Sequence, residues 1–234
     1  MGEQSVASNP RAKLDQDLDH LRDDILRLGD MVDTAIDRAM QALVEQDSVL
    51  AKEVIDGDEA VNNSRFEIEK HCLGLIATQQ PAASDLRAIV AAMNIVSDLE
   101  RMGDHAVGIA KSVLRGEDEP KLEVPTGITK MAENVREMLS MAFEAYREQD
   151  LALAQEVAAR DDDIDQQYRE LFHDLLQKMA EKPIKSGAGI RLQFASHNLE
   201  RIADRATNLV ERVIFQHSGE MQELNPEPGE TGLN

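Results

Sequence analysis

Tryptophan is absent, tyrosine occurs twice and phenylalanine five times in 234 residues, so aromatics make up 3% of the chain. β-Sandwiches lean on aromatic and β-branched residues, whereas a core of Leu, Ile, Val, Ala and Met favours packed helices. Cysteine is almost missing. Cys72 stands alone, which excludes an internal disulfide and suits a reducing compartment. No long apolar run occurs. The longest, Ala88 to Met93, falls far short of the ~18 residues of a membrane span, so a protein integral to the membrane is not expected. The first residues hold no apolar stretch of the kind a secretory signal needs, and a cytoplasmic protein is expected. Positive charge is also scarce. Lys and Arg number 25 against 45 Asp and Glu, for a net charge of -20. No positive field is available to displace counterions from nucleic acid or to meet an anionic membrane, so a cation or a basic protein surface is the natural partner.

What is present is helical periodicity almost end to end. From Leu14 to Gln46 apolar residues recur at three and four, through Leu21, Ile25, Leu28, Val32 and Ile36, forming one amphipathic stripe. A second helix is expected from about Asp47 to Thr78, stopped by Pro81. Ser84 is the expected N-cap of a third, which runs to about Leu114. A charged linker bracketed by Gly116 and Pro125 follows. The pattern then restarts, with helices from about Thr126 to Gln149 and Leu151 to Glu181. Pro183, Gly187 and Gly189 mark a turn region, and a last helix runs to about Gln216. Residues 218–234 mix Gly, Pro and Glu without periodicity and read as a disordered acidic tail.

The restart is a duplication. Glu45-Gln-Asp-Ser-Val-Leu-Ala-Lys-Glu-Val-Ile-Asp-Gly-Asp58 aligns with Glu148-Gln-Asp-Leu-Ala-Leu-Ala-Gln-Glu-Val-Ala-Ala-Arg-Asp161, an offset of 103. Asp98-Leu-Glu-Arg-Met-Gly-Asp-His-Ala106 aligns with Asn198-Leu-Glu-Arg-Ile-Ala-Asp-Arg-Ala206, an offset of 100. Two ordered matches indicate internal repeats. Short connections make successive helices antiparallel, so the expected fold is all-α: two pseudo-symmetric three-helix bundles over 14–115 and 126–217.

Glu100 and Asp104 lie four apart on one helical face, and Glu200 and Asp204 repeat the pair. Like charges at this spacing cost a helix roughly 0.2–0.5 kcal/mol, which an arginine or a cation can offset. On a helical wheel both pairs border the apolar stripe, away from a polar face centred near Asn94, Ser97, Arg101 and His105 in the third helix. In antiparallel hairpins Asp104 comes level with about Ala60, beside Asp58 and Glu59. Asp204 comes level with about Ile164, beside Asp161, Asp162, Asp163 and Asp165. Each repeat can thus gather carboxylates from two helices at one level, a donor set for Mg²⁺, Mn²⁺, Ca²⁺ or iron. The candidate ligands are Glu100, Asp104, Glu200 and Asp204, with Asp58 and Asp161 from the facing helices. The competing account is a charged rim paired with Arg87, Arg101, Arg201 or Arg205.

Other chemistry is thin. Glu170-Leu-Phe-His173 has the Glu-x-x-His spacing of di-iron bundles, but its aligned place reads Glu67-Ile-Glu-Lys70. His105 and His197 lie near the acidic pairs without a repeated pattern. A carboxylate-bridged metal enzyme would need an open coordination position and a base beside it, and no base is evident. The methionines fall on helical faces and read as core.

Leu99-Glu-Arg-Met-Gly-Asp104 and Leu199-Glu-Arg-Ile-Ala-Asp204, with Gln80-Pro-Ala-Ala-Ser-Asp-Leu-Arg87 before the first, resemble the PhoU family from about Leu14 to Gln216. The resemblance implies two pseudo-symmetric three-helix bundles and a homodimer. It implies a cytoplasmic regulator beside the Pst phosphate importer ATPase and a PhoR-type sensor kinase, restraining the phosphate-starvation response. It also implies metal ions (iron, Mn, Mg or Zn) on the duplicated motif, here Glu100, Asp104, Glu200 and Asp204. Ala203 stands where the family often has Gly, and Met102 where it often has Ile; neither change removes a ligand.

Overall fold

A computed structural model describes residues 10–117, 123–181 and 186–224. They form six helices: α1 (Pro10–Glu45), α2 (Ser48–Gln79), α3 (Ala83–Leu114), α4 (Thr126–Glu148), α5 (Leu151–Glu181) and α6 (Ser186–Ser218). Part of the expected linker and Pro183 of the turn region lie outside the described residues, as do residues 225–234 of the expected tail.

The duplication reaches down to single turn residues. Gln46 and Gln149 both adopt left-handed backbone, with φ of 58° and 55°. The next residue in each copy caps the following helix. Asp47 Oδ1 accepts from the Val49 and Leu50 amides, and Asp150 Oδ1 from those of Ala152 and Leu153. The Asp47 amide donates to the Ala42 carbonyl and the Asp150 amide to that of Ala145, each at 3.0 Å. The shared Glu-Gln-Asp thus encodes the same tight reversal twice. The start of α3 differs from expectation. Its N-cap is Ala82, with no side-chain cap, and Ser84 lies inside the first turn. Pro81 and Gln80, the latter at φ 47°, already turn the chain there.

Helices α1, α2 and α3 pack into one bundle and α4, α5 and α6 into the other. α3 and α6 form the most extensive helix pair and join the bundles, and α1 also meets α4. Among the described residues α2 and α5 pack only within their own bundle. α3 therefore packs on three helices, α1, α2 and α6, which explains its run of buried residues from Ile89 through Ile95, Leu99, Met102 and Ala106 to Ile109. The face of α3 read as polar is partly buried against α6. His105 Nδ1 lies 3.0 Å from Asn198 Oδ1, and the Asp98 carboxylate accepts from Asn208 at 3.4 Å and meets Arg205 at 3.5 Å. Burial holds the Asp98 carboxyl above its usual range despite Arg205, and the His105 imidazole below its own. Gly108 allows the close approach: a Cβ there would sit 2.7 Å from Asn198 Oδ1. Arg136 of α4 ties the outer edge, donating to both oxygens of Asp33 at 2.8 Å and to Asp37 at 2.6 Å on α1.

Candidate metal centre

The two hairpins align the acidic residues by level. In the first bundle, Gly103 of α3 faces Val61 and Asp58 of α2: a Cβ at Gly103 would lie 3.3 Å from Val61 Cγ1 and 3.6 Å from Asp58 Oδ1. Asp58 is therefore level with Asp104. Burial first, then the Asp104 charge, raises the Asp58 carboxyl, while Asn62 Nδ2, donating at 2.9 Å, opposes the rise. Glu100 takes an arginine: Arg65 Nη1 of α2 donates to its Oε1 at 3.2 Å. Asp104 is exposed rather than at the edge of the core.

The second bundle differs. Asp165 of α5 and Glu200 and Asp204 of α6 each offer an oxygen within 4.8 Å of the others. Among the described residues this is the one such group of three carboxylates, and Asp58, Glu100 and Asp104 form none. Glu200 Oε2 is buried and accepts no hydrogen bond, although His197 Nδ1 lies 3.4 Å away. Burial, then repulsion from Asp204, pushes the Glu200 carboxyl up to about 7; Arg201 works against it, and Asp165 and Asp161 add to it. Burial raises Asp204 as well, with Arg201 opposing from 2.8 Å. Asp161 is buried close enough to repel Glu200, but the convergent third oxygen comes from Asp165, one turn further along α5.

The difference follows from two aligned positions. Val61, Ile68 and Cys72 of α2 and Ile164, Leu171 and Leu175 of α5 are matched buried residues at the same offset. In that register Asp165 replaces Asn62, and Tyr168 replaces Arg65. The second site thus gains one negative charge and loses one positive charge. Tyr168 faces Glu200 instead, its hydroxyl accepting from Gln193 at 3.0 Å. The arginine pairing weighed from the sequence is realised at Asp204 by Arg201. At Glu100 it is realised by Arg65, which sequence reasoning did not name. The signal was available, since Arg65 lies within two turns of Asp58 on the helix facing Glu100.

The second set fits a hard cation. Oxygen ligands bound at roughly 2.0–2.6 Å lie no more than about 5 Å apart around one ion, as these do. An acid raised by its neighbours is also one that an added positive charge would restore to the ionised form.

A duplicated all-α chain, with carboxylates from two helices brought level in each bundle, is thereby defined. The PhoU domain matches it twice, over residues 25–113 and 128–213. The chain belongs to the PhoU family. It is similar to the "phosphate-specific transport system accessory protein PhoU homolog" of Clostridium acetobutylicum, at 39% identity over 92% of this chain and 99% of that one. It is similar to the protein of the same name from Aquifex aeolicus at 37% identity, over 89% and 95%. The crystal structure of the phosphate transport system regulatory protein PhoU from Streptococcus pneumoniae superposes with a TM-score of 0.84. It is 32% identical and covers 90% of this chain and 99% of that one.

Proposed function

We propose that this protein is a non-enzymatic, cytoplasmic regulator of phosphate uptake that binds metal and restrains the phosphate-starvation response. It acts as an adaptor between the Pst importer ATPase and a PhoR-type sensor kinase, as a homodimer. The observation that carries this reading is the family's domain present twice across the chain. The names of its relatives, accessory proteins of phosphate-specific transport, support the regulatory role. No described helix is long and apolar enough to cross a membrane, which suits a partner that docks on an importer.

The metal part of the proposal rests on Asp165, Glu200 and Asp204. When bound, a divalent or ferric ion would supply charge neutralisation that locks α5 to α6 at this level. Glu200 and Asp204 would come from the duplicated motif and Asp165 from the facing helix. In the first bundle the guanidinium of Arg65 already sits on Glu100, so Glu100, Asp104 and Asp58 would hold an ion more weakly.

Two experiments test the proposal. Deleting the gene should raise alkaline phosphatase in phosphate-replete cells, and unchanged expression would refute the regulatory role. Purified protein grown with ample metal should carry metal that Glu200→Ala removes more completely than Glu100→Ala. Metal-free wild-type protein would refute the site. Turnover of a substrate by metal-loaded protein, abolished by Glu200→Ala, would instead favour a carboxylate-metal enzyme.

A further inference from the structure

A cleft of about 330 Å³ opens between α1, α2 and α3 of the first bundle. Met31, Val54, Val61 and Val107 give it apolar walls. Its charged lining sets three acids, Asp30, Glu53 and Asp58, against one base, Arg38. Arg38 pairs with Glu53, which leaves Asp30 and Asp58. Asp30 makes no ion pair among the described residues. Asp58 Oδ2 accepts from Asn62 at 2.9 Å, whereas Oδ1 is buried with no donor among the described residues. Lys111 acts on Asp58 only through its charge, without an ion pair. Small residues hold the space. Gly57 lies in the interior of α2, where glycine disfavours a helix more than any residue but proline. The packing does not require it, since a Cβ there would meet nothing within 4 Å. In the second bundle the aligned residue is Arg160, which reaches across to Glu137 of α4 at 3.1 Å. Ala35 aligns with Met138, which is fully buried. The first copy thus carries a hydrogen and a methyl group where the second carries two long side chains.

We propose that this cleft binds a small aliphatic diamine or polyamine, with its chain along the valine walls and an ammonium group at Asp58. The charge of the lining selects a cation. The walls select an organic one. A hard metal ion needs six or more oxygens, which apolar walls do not supply, and the acids here form no convergent group of three. An ammonium group on a methylene chain matches both features, since the chain covers apolar surface and the head donates to a carboxylate that lacks a donor. Asp30 on α1 and Asp58 on α2 offer charge to more than one ammonium group. The volume stands at the small end of sites for small molecules, which suits a short chain. The inference is independent of the metal reading of the second bundle.

The test is calorimetric titration of the full chain with cadaverine (1,5-diaminopentane) in chelator at about 150 mM NaCl, where diffuse attraction to the acidic surface is screened. Wild type should saturate one site with a Kd below about 1 mM. Asp58→Asn and Ala35→Met should each weaken binding at least about tenfold. Ala35→Met removes no charge, so its effect reads the cleft and not the net charge. Gly57→Leu fills the same space from α2 with a better helix former; it should lose binding while its Tm holds or rises, and it decides the matter if Ala35→Met does not fold. Asp56→Asn, exposed on the same helix, should bind as wild type does. A wild type that takes up no cadaverine, or one matched by Ala35→Met and Gly57→Leu, would overturn the proposal. Equal weakening by Asp56→Asn and Asp58→Asn would also overturn it, by reducing the effect to net charge.

Discussion

Replacing Glu200 by Gln should stabilise the metal-free protein at alkaline pH, although it removes a residue of the candidate centre. The Glu200 carboxyl is held at about 7 in the folded chain against an ordinary 4.5, by burial and then by Asp204. Between those values the folded protein keeps a proton that the unfolded chain has released. Stability therefore falls as pH rises through that window, and the loss is complete above about 7. At about 1.36 kcal/mol per tenfold the ceiling is roughly 3 kcal/mol, and about 2 kcal/mol is expected once the repulsion is shared with Asp204 and Asp165. For a chain of this length that is a rise in Tm of roughly 4–8 °C at pH 8 in chelator, with the two proteins converging near pH 4.5. Calorimetry is the suitable assay, since the chain has no Trp. Adding Mn²⁺ should reverse the order. An ion at about 100 times its Kd stabilises wild type by about 2.7 kcal/mol and should do little for Glu200→Gln. A Glu200→Gln protein less stable than wild type at pH 8 in chelator would refute the reasoning, because it would mean Arg201 and His197 already compensate the charge.

Arg65→Ala should cost less than about 1 kcal/mol, as for a part-exposed ion pair, and should raise Mn²⁺ uptake by the first bundle in a titration followed by electron paramagnetic resonance. Asp165→Asn, which copies Asn62 into the second bundle, should weaken Mn²⁺ binding there at least tenfold while leaving the helical circular dichroism unchanged. Gly108→Ala should destabilise by about 1–3 kcal/mol in urea unfolding, because its Cβ displaces Asn198 and breaks that residue's contact with His105. Asp47→Ala should cost about 1 kcal/mol, as for loss of an N-cap.

Much of the fold was legible because it is written twice. The stripe from Leu14 to Gln46, Pro81 and the repeated Glu-Gln-Asp marked the helices and their reversals, and they are local signals. Counting along antiparallel hairpins also brought Asp58 level with Asp104, and α5 carboxylates level with Asp204, since depth in a hairpin depends only on helical rise. What the sequence hid is lateral. The face of α3 carrying His105, Asn94 and Asp98 has polar residues and so looks solvated, yet it meets α6 through polar pairs; no periodicity distinguishes such an interface from a wet surface. The choice between Asp161 and Asp165 was hidden for a similar reason. Both lie on one face of α5, and which oxygen converges with Glu200 depends on helix rotation. Arg65 was visible as a residue but not as a partner, because its reach to Glu100 crosses between helices. The backward fold of residues 219–224 runs against their composition, being set by Gly219 and by one hydrogen bond that the Leu224 amide donates to Glu211.

The most direct test is diffraction from crystals grown with Mn²⁺, recorded at the manganese absorption edge. The strongest anomalous peak should lie among the oxygens of Asp165, Glu200 and Asp204, with a weaker peak or none beside Glu100. Electron density showing those three carboxylates without an ion at millimolar Mn²⁺, or the stronger peak beside Glu100, would contradict the account.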